Sequence, residues 1–217
     1  MKAEKQNPFS DRTYALVHQF DKYRIDALLL FNTANIYYFT GFNGSDGMLL
    51  LTPAKKKLLV DGRYTAQAKL QAPDAEIIEY KDKIAGAVEA LHGWRGKRIG
   101  FDADYCTFDV YRKMASLLKG KTLVPLSESL RLLRARKDKA EIRLMKMAAE
   151  LSSAAIFSLL SKIKEGASER ELALELEYQA RRLGADQVSF EPIIASGKNS
   201  ALPHARPTKR KIRKGDF

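Results

Sequence analysis

Residues 190–204 read FEPIIASGKNSALPH, and this stretch carries more information about the fold than any other part of the chain. Its two prolines and its glycine exclude a continuous helix, so the chain from residue 188 onward is predicted to be loop and strand. The stretch ends at His204. Further on, the residues KGD at 214–216 have the composition of a turn that leads into a strand.

Two amphipathic helices are predicted before this stretch. Apolar residues recur at three-to-four spacing over residues 142–163, and Gly166 suits the C-terminal cap of that helix. Ser168 and Glu171 have the spacing of a capping box that opens a second helix, which ends before Gly184. The apolar stripes of the two helices consist of Ile142, Met145, Ala149, Ile156, Leu159 and Ile163, and of Leu172, Leu176, Ala180 and Leu183.

Almost no sheet follows that could cover these two stripes. Burial of about ten large apolar side chains is worth roughly 15–30 kcal/mol, so the stripes are expected to find a partner. The second domain, residues 139–217, is therefore expected to be incomplete, that is, truncated. The chain is predicted to be a homo-oligomer or to contain a poorly packed C-terminal part.

The part that precedes these helices has the pattern of a compact α/β domain over residues 1–126. Short apolar runs bounded by Asn, Gly, Pro or Asp predict buried strands near residues 27–31, 48–51 and 58–60. Further strands are predicted near residues 76–78, 98–101 and 122–124, and helices over Thr13–Tyr23, Lys83–Leu91 and Phe108–Leu118. The charged segment 127–138 is predicted to be a linker that is partly helical.

Composition narrows the class of protein. The chain has 217 residues and a net charge of +12, with 38 Lys and Arg against 26 Asp and Glu. The basic clusters at 131–139 and 206–214 contain no aromatic residues for base stacking, so no nucleic-acid partner is predicted. No apolar run approaches the ~20 residues of a membrane span, so no membrane partner is predicted. The lone Cys106 and the polar N-terminus predict a cytoplasmic protein.

Common catalytic motifs are missing from the sequence. There is no HExxH, CxxC, GxSxG, P-loop or Rossmann fingerprint. The glycine-rich segment 41–47 lacks a phosphate-binding lysine and is interpreted as a turn between strands. Asp102 and Asp104 alternate at a strand end, where a cap or solvated position is favoured over a metal site. Packing or surface roles are favoured for His18, His92 and Cys106.

The stretch 190–204, followed by RP at 206–207 and KGD at 214–216, closely resembles the opening of the catalytic domain in the creatinase/prolidase/Xaa-Pro aminopeptidase family. NIYYFTGF at 35–42 and DGRY at 61–64 resemble the creatinase-type N-terminal domain. Within DGRY, Asp61 is expected to cap the following helix. The order and spacing of these motifs carry the resemblance. Smaller matches are RK at 136–137, EI at 141–142, GASE at 166–169 and Gly184.

The resemblance implies an α/β N-terminal domain, with a mixed sheet flanked by helices, followed by the start of an α+β pita-bread catalytic domain. It implies that two divalent metal ions (Mn, Co or Zn) activate a water in the complete parent enzyme. It also implies that His204 binds substrate and stabilises the reacting centre. The family's metal ligands lie beyond the Gly-Asp turn at 215–216, so this chain is expected to hold no metal and to be inactive alone.

The activity implied for the parent is hydrolysis of the bond between an N-terminal residue and proline in proline-containing peptides. The sequence does not separate a dipeptidase from an aminopeptidase that acts on longer peptides. Creatine hydrolysis occurs in the same family and is less common there. The alternative of a different class is a non-catalytic creatinase-like module that binds peptides or protein tails.

Overall fold

The computed structural model describes residues 7–217, apart from the side chains of residues 128 and 129. The chain divides after Arg136 into two compact units. The first unit contains the strands β1 (Ala27–Leu30), β2 (Met48–Leu51), β3 (Lys56–Asp61), β4 (Glu76–Tyr80), β5 (Arg98–Asp102) and β6 (Thr122–Leu126).

These strands form one mixed sheet in the order β4-β3-β2-β1-β5-β6. β1–β2 and β2–β3 are antiparallel, whereas β1–β5, β5–β6 and β3–β4 are parallel. Both faces of the sheet are covered by helices, which explains why its central strands are continuous apolar runs rather than alternating ones. The predicted α/β fold class is confirmed.

The core of the first unit lies on both faces of the sheet. The helices packed on it are α3 (Thr33–Thr40), α4 (Thr65–Gln71), α5 (Lys83–Ala90), α6 (Phe108–Leu117) and α7 (Glu128–Ala135). Leu28 and Leu30 point to one face, where α3, α4 and α7 supply further apolar side chains. Leu29 points to the other face, which is covered by α5 and α6.

The single helix predicted over Thr13–Tyr23 is wrong. The structure has two helices, α1 (Pro8–Val17) and α2 (Phe20–Tyr23). α1 begins earlier than predicted because the side chain of Asn7 accepts a hydrogen bond from the Phe9 N–H and Pro8 suits the first turn. Arg24, with φ 52°, ends α2 in the left-handed conformation.

The interpretation of residues 41–47 as a turn between strands is also wrong, because the segment joins α3 to β2. α3 has a clear start and stop. The Asn32 side chain accepts hydrogen bonds from the Ala34 and Asn35 N–H groups, and Gly41 ends the helix with φ 79°. At the other end of the unit, α7 occupies most of the predicted linker 127–138. The predicted boundary at residue 126 stays a prediction.

The second unit begins with two helices that pack on each other, α8 (Lys139–Leu160) and α9 (Glu169–Arg182). Gly166 is not the cap of α8, because that helix ends at Leu160; the glycine lies in the following turn with φ 86°. Gly184 does end α9: the next N–H, that of Ala185, donates to the Ala180 carbonyl, as in a Schellman motif.

After α9 the described chain to residue 217 is mainly loop. It contains one short 3₁₀ helix, Gly197–Ala201, and one isolated β-bridge, from Lys211 to Ser168. The loop predicted from residue 188 onward is therefore confirmed, whereas the predicted strand is reduced to that bridge. Most of the apolar stripe of α8 is exposed, with Met145 exposed by 57% and Ile156 by 53%, whereas Leu159 near the end of the helix is buried. Among the described residues, no helix is both long and apolar enough to cross a membrane.

Candidate functional site

The start of α9 positions the candidate site. The Ser168 Oγ accepts a hydrogen bond from the Glu171 N–H (3.2 Å), and the Glu171 carboxylate accepts one from the Ser168 N–H (2.8 Å). The predicted capping box is therefore confirmed. Between these two residues lies Glu169, the first residue of α9, which is completely buried.

The Glu169 carboxylate joins two distant points of the chain. Its Oε1 accepts hydrogen bonds from the N–H (2.8 Å) and Oγ (2.9 Å) of Ser196. Its Oε2 accepts from the N–H (3.0 Å) and Oγ1 (2.6 Å) of Thr208. The Asn199 Nδ2 donates to both oxygens, at 3.1 and 3.2 Å. Residues 196–208, hereafter the His204 loop, are thus closed at their base by one side chain.

This arrangement fixes the charge of Glu169. Burial by itself raises the pKa of a carboxyl group, but the hydrogen bonds from Thr208 and Ser196 favour the carboxylate more strongly. The result is a pKa lowered to about 2. Glu169 is therefore negatively charged at neutral pH although no solvent reaches it.

A second clamp holds the same base from the other side. The Arg210 guanidinium binds the Asp216 carboxylate through two hydrogen bonds, of 2.7 and 2.8 Å, and also donates to the Ser196 Oγ. The Arg213 N–H donates to Asp216 at 2.8 Å. The Arg210 guanidinium and the Arg213 N–H together lower the pKa of Asp216 to about 2. The predicted turn at 214–216 is confirmed, with Gly215 at φ 85°.

His204 lies near the tip of the loop and is exposed. Leu202 before it is 57% exposed, whereas Ala205 after it is buried, and the Ala205 N–H donates to the Leu202 carbonyl at 3.2 Å. The loop therefore presents His204 outward from a rigid base. His18 and His92 belong to the first unit and are also exposed.

In the first unit, Asp102 has a structural role. Its buried carboxylate accepts hydrogen bonds from the Phe31 and Asn32 N–H groups, both at 2.9 Å, and ties the end of β5 to the start of α3. Burial outweighs these bonds and raises the pKa of Asp102. Asp104 is solvated beside Arg131 at 4.0 Å. The predicted solvated position is confirmed for Asp104, which lies in the turn after β5, but is wrong for Asp102, which is buried at the last position of that strand.

Two further expectations concern Asp61 and Cys106. The Asp61 side chain does not cap α4; it accepts a hydrogen bond from the Arg63 N–H (2.9 Å) and pairs with the Arg63 guanidinium (2.7 Å). The reason is that Gly62 and Arg63 form a turn before α4 begins at Thr65. Cys106 is half-buried against the apolar core, and burial raises the pKa of its thiol to about 11. It stays a thiol at neutral pH, as expected for a small hydrophobe.

The metal ions implied by the family resemblance require several ligands within bonding distance. In residues 7–217, no three His, Cys, Asp or Glu side chains converge closely enough to hold an ion. The acidic groups of the candidate site, Glu169 and Asp216, are occupied by the hydrogen bonds given above. The described residues therefore do not fit a metal centre, and no step of the chemistry is assigned to a metal bound by them.

Residues 12–136 match the creatinase/prolidase N-terminal domain, more than half of the chain. The chain belongs to the creatinase/prolidase family. Residues 143–217, which contain Glu169 and the His204 loop, match the metallopeptidase family M24.

Solved structures of creatinase/prolidase proteins have the same backbone fold over the length of this chain. The Xaa-Pro dipeptidase of Bacillus anthracis superposes with a TM-score of 0.90 at 32% identity, over 96% of this chain and 59% of that one. The X-Pro aminopeptidase of Thermotoga maritima gives a TM-score of 0.85 at 32% identity, over 95% of this chain and 58% of that one.

Among curated relatives, the uncharacterized peptidase YqhT of Bacillus subtilis is 36% identical over 91% of this chain and 56% of its own length. This creatinase/prolidase chain spans between 54% and 58% of the length of the curated relatives it matches.

Proposed function

We propose that this chain is the front part of an Xaa-Pro peptidase that hydrolyses the bond between an N-terminal residue and proline. The observation that carries the proposal is the His204 loop, whose base is closed by Glu169 and whose exposed histidine lies in the segment matched to a metallopeptidase family. Relatives of both the dipeptidase and the aminopeptidase type support the substrate class, proline-containing peptides.

His204 is proposed to bind the substrate and to act on the reacting carbonyl. An imidazole N–H can donate a hydrogen bond to the carbonyl oxygen, and this bond strengthens as negative charge develops there in the transition state. The position of His204 fits this role because the side chain is open to a ligand while the backbone on either side is held by short-range hydrogen bonds.

The complete parent enzyme is proposed to use two divalent ions (Mn, Co or Zn), which supply Lewis acidity to the carbonyl and the attacking water. Because the described residues do not form a metal centre, the 217-residue chain is proposed to be inactive alone. The parent is further proposed to be cytoplasmic and homo-oligomeric, on the basis of the lone Cys106 and the exposed stripe of α8.

Inactivity of the chain alone is tested with Ala-Pro or Gly-Pro and an excess of Mn²⁺, Co²⁺ or Zn²⁺. We expect no hydrolysis above the rate without protein. Robust turnover that a chelator abolishes would show that residues 1–217 hold a working metal centre, and would overturn this part of the proposal.

The parent activity is tested with a chimera. It consists of residues 1–217 followed by the part of the Bacillus anthracis Xaa-Pro dipeptidase that comes after its matched segment. We expect the folded chimera to bind two metal ions and to hydrolyse Ala-Pro in a chelator-sensitive reaction. A folded, metal-loaded chimera that binds peptide without hydrolysing it would support the alternative, a non-catalytic peptide-binding module.

A further inference from the structure

The burial of Glu169 requires an explanation beyond the stability of α9. An ionised carboxylate removed from water costs several kcal/mol unless hydrogen bonds replace its hydration. α9 is already capped by Ser168 and Glu171. A glutamate in the first turn also interacts favourably with the helix dipole when it is exposed, so the helix itself does not need this side chain to be buried.

The partners of Glu169 show what the burial achieves. Ser196 and Thr208 are the two ends of the His204 loop, and each donates one backbone and one hydroxyl hydrogen to a different oxygen of the same carboxylate. Asn199, inside the loop, bridges both oxygens. Among the contacts of the loop base, which include the Arg210 bond to Ser196, the Glu169 side chain is the one that joins both ends of the loop to the start of α9.

We propose that Glu169 is the positioning residue for His204 in peptide hydrolysis. This inference rests on the proposed function and adds to it the group that determines where the histidine stands. Glu169 does not touch the substrate; it acts through Ser196, Asn199 and Thr208. A shift of about 1 Å in a group that acts on the transition state can lower the rate roughly 10²-fold. Holding the loop in a fixed position is therefore expected to keep the rate of hydrolysis high.

The first test compares Glu169→Gln with Glu171→Gln in the 217-residue chain. A glutamine at 169 has one acceptor oxygen, so the backbone N–H of either Ser196 or Thr208 loses its partner. A glutamine at 171 removes the same charge from the same helix and remains compatible with a capping box, and the side-chain hydrogen bonds of Glu171 go to Ser168 rather than to the His204 loop.

The readout of this test is amide hydrogen exchange. In Glu169→Gln we expect exchange at least tenfold faster in the His204 loop, including the turn amides of Asn199, Leu202 and Ala205. Exchange in α8 and the middle of α9 should be unchanged, and Glu171→Gln should leave the loop as in the wild type. Equal acceleration throughout the second unit would overturn the proposal, because Glu169 would then stabilise the whole unit rather than the loop. No acceleration in the loop would also overturn it, because the loop would then not depend on Glu169.

The second test is a double-mutant cycle in the chimera, with kcat for Ala-Pro as the readout. If Glu169 acts through His204, Glu169→Gln lowers kcat by about 10- to 100-fold, but by less than about twofold when His204 is already alanine. An equal loss in both backgrounds would show a general structural role and overturn the proposal. Normal kcat in Glu169→Gln with low kcat in His204→Ala would overturn the positioning role alone. Normal kcat in His204→Ala would refute the proposed role of His204 and with it the positioning role, whereas the proposed peptidase activity fails only if the unsubstituted, folded chimera does not hydrolyse Ala-Pro.

Discussion

Two buried carboxyl groups in this chain have pKa values that are shifted in opposite directions. Glu169 receives hydrogen bonds from three side chains and two backbone N–H groups, which outweigh its burial, and its pKa falls. Asp102 receives bonds mainly from the backbone N–H groups of Phe31 and Asn32, burial dominates, and its pKa rises. The number of hydroxyl and amide donors therefore decides which carboxylate stabilises the folded state in its charged form.

The lowered pKa of Glu169 predicts a pH-dependent stability of the second unit. Folding lowers this pKa from 4.5 to about 2, so the unfolded chain binds the proton more readily. The stabilisation is therefore fully present above pH 4.5 and is lost as the pH falls toward 2. In thermal unfolding, the melting temperature of the wild type should exceed that of Glu169→Gln by an amount that shrinks between pH 5 and pH 2. A constant difference over this range would contradict the assignment.

The role of His204 is tested by His204→Ala in the chimera. Loss of one hydrogen-bond donor to the developing charge typically costs about 10²–10³ in rate. We expect kcat to fall by that factor while metal content and melting temperature stay nearly constant. A change within about twofold is what an exposed loop residue without a role would give. Loss of bound metal would instead identify His204 as a ligand.

At the scale of single elements, the sequence predicted the sheet and the capped helix α9 but missed α3. The sheet is predictable because each strand is an apolar run that is buried on both faces. α3 is hidden because the run Ile36–Thr40 is aromatic and β-branched, residue types that favour strands, while the helix is fixed by Asn32 and by packing of Ile36 and Phe39 into the core. The Asn32 cap was the signal that could have revealed it.

The role of Glu169 was missed for a different reason, although the residue belongs to the family-like match GASE at 166–169. In the run ERELALELE it is one of four glutamates on a surface-like helix, and the helical pattern does not indicate that this one is buried. Its partners lie 27 to 39 residues away. The anchoring of the His204 loop therefore depends on contacts between residues distant in sequence, which the sequence did not predict. The importance of the loop, in contrast, was predicted from its family-like sequence.

The contribution of α7 to the first unit can be measured at one position. Leu130 is 3% exposed and packs in the core beside Leu126, whereas Leu132 on the same helix is 63% exposed. Leu130→Ala should destabilise the first unit by about 2–5 kcal/mol. Leu132→Ala, the matched control, should change the free energy of unfolding by less than about 0.5 kcal/mol.

The same measurement bears on the predicted boundary at residue 126. A fragment of residues 1–126 should unfold cooperatively, but at a lower temperature than a fragment of residues 1–136 that keeps α7. A broad, non-cooperative transition of the shorter fragment would move the boundary to the end of α7. Equal effects of Leu130→Ala and Leu132→Ala would show that α7 adds nothing to the core.

At the scale of the whole molecule, the net charge of +12 and the apolar stripe of α8 act against each other in self-association. Like charges repel, but this repulsion is screened by salt beyond about 8–10 Å, whereas apolar contact is not. Part of the basic cluster at 206–214 is also neutralised internally, since Arg210 pairs with Asp216. The apolar stripe should therefore dominate at physiological ionic strength.

We accordingly predict that the 217-residue chain self-associates through α8 or binds a hydrophobic dye there. Met145 and Ile156 lie on one face of the helix and are both more than half exposed, so Met145→Lys/Ile156→Lys can be introduced without disturbing the core. The double variant should shift the mass measured by light scattering toward that of a monomer and weaken dye binding. Leu70→Lys is the control, because Leu70 is 82% exposed in the first unit and lies outside the stripe. The prediction would be refuted if the wild-type chain is monomeric, binds no dye and shows slow amide exchange along both α8 and α9. The stripe would then remain exposed to water in a well-ordered monomer.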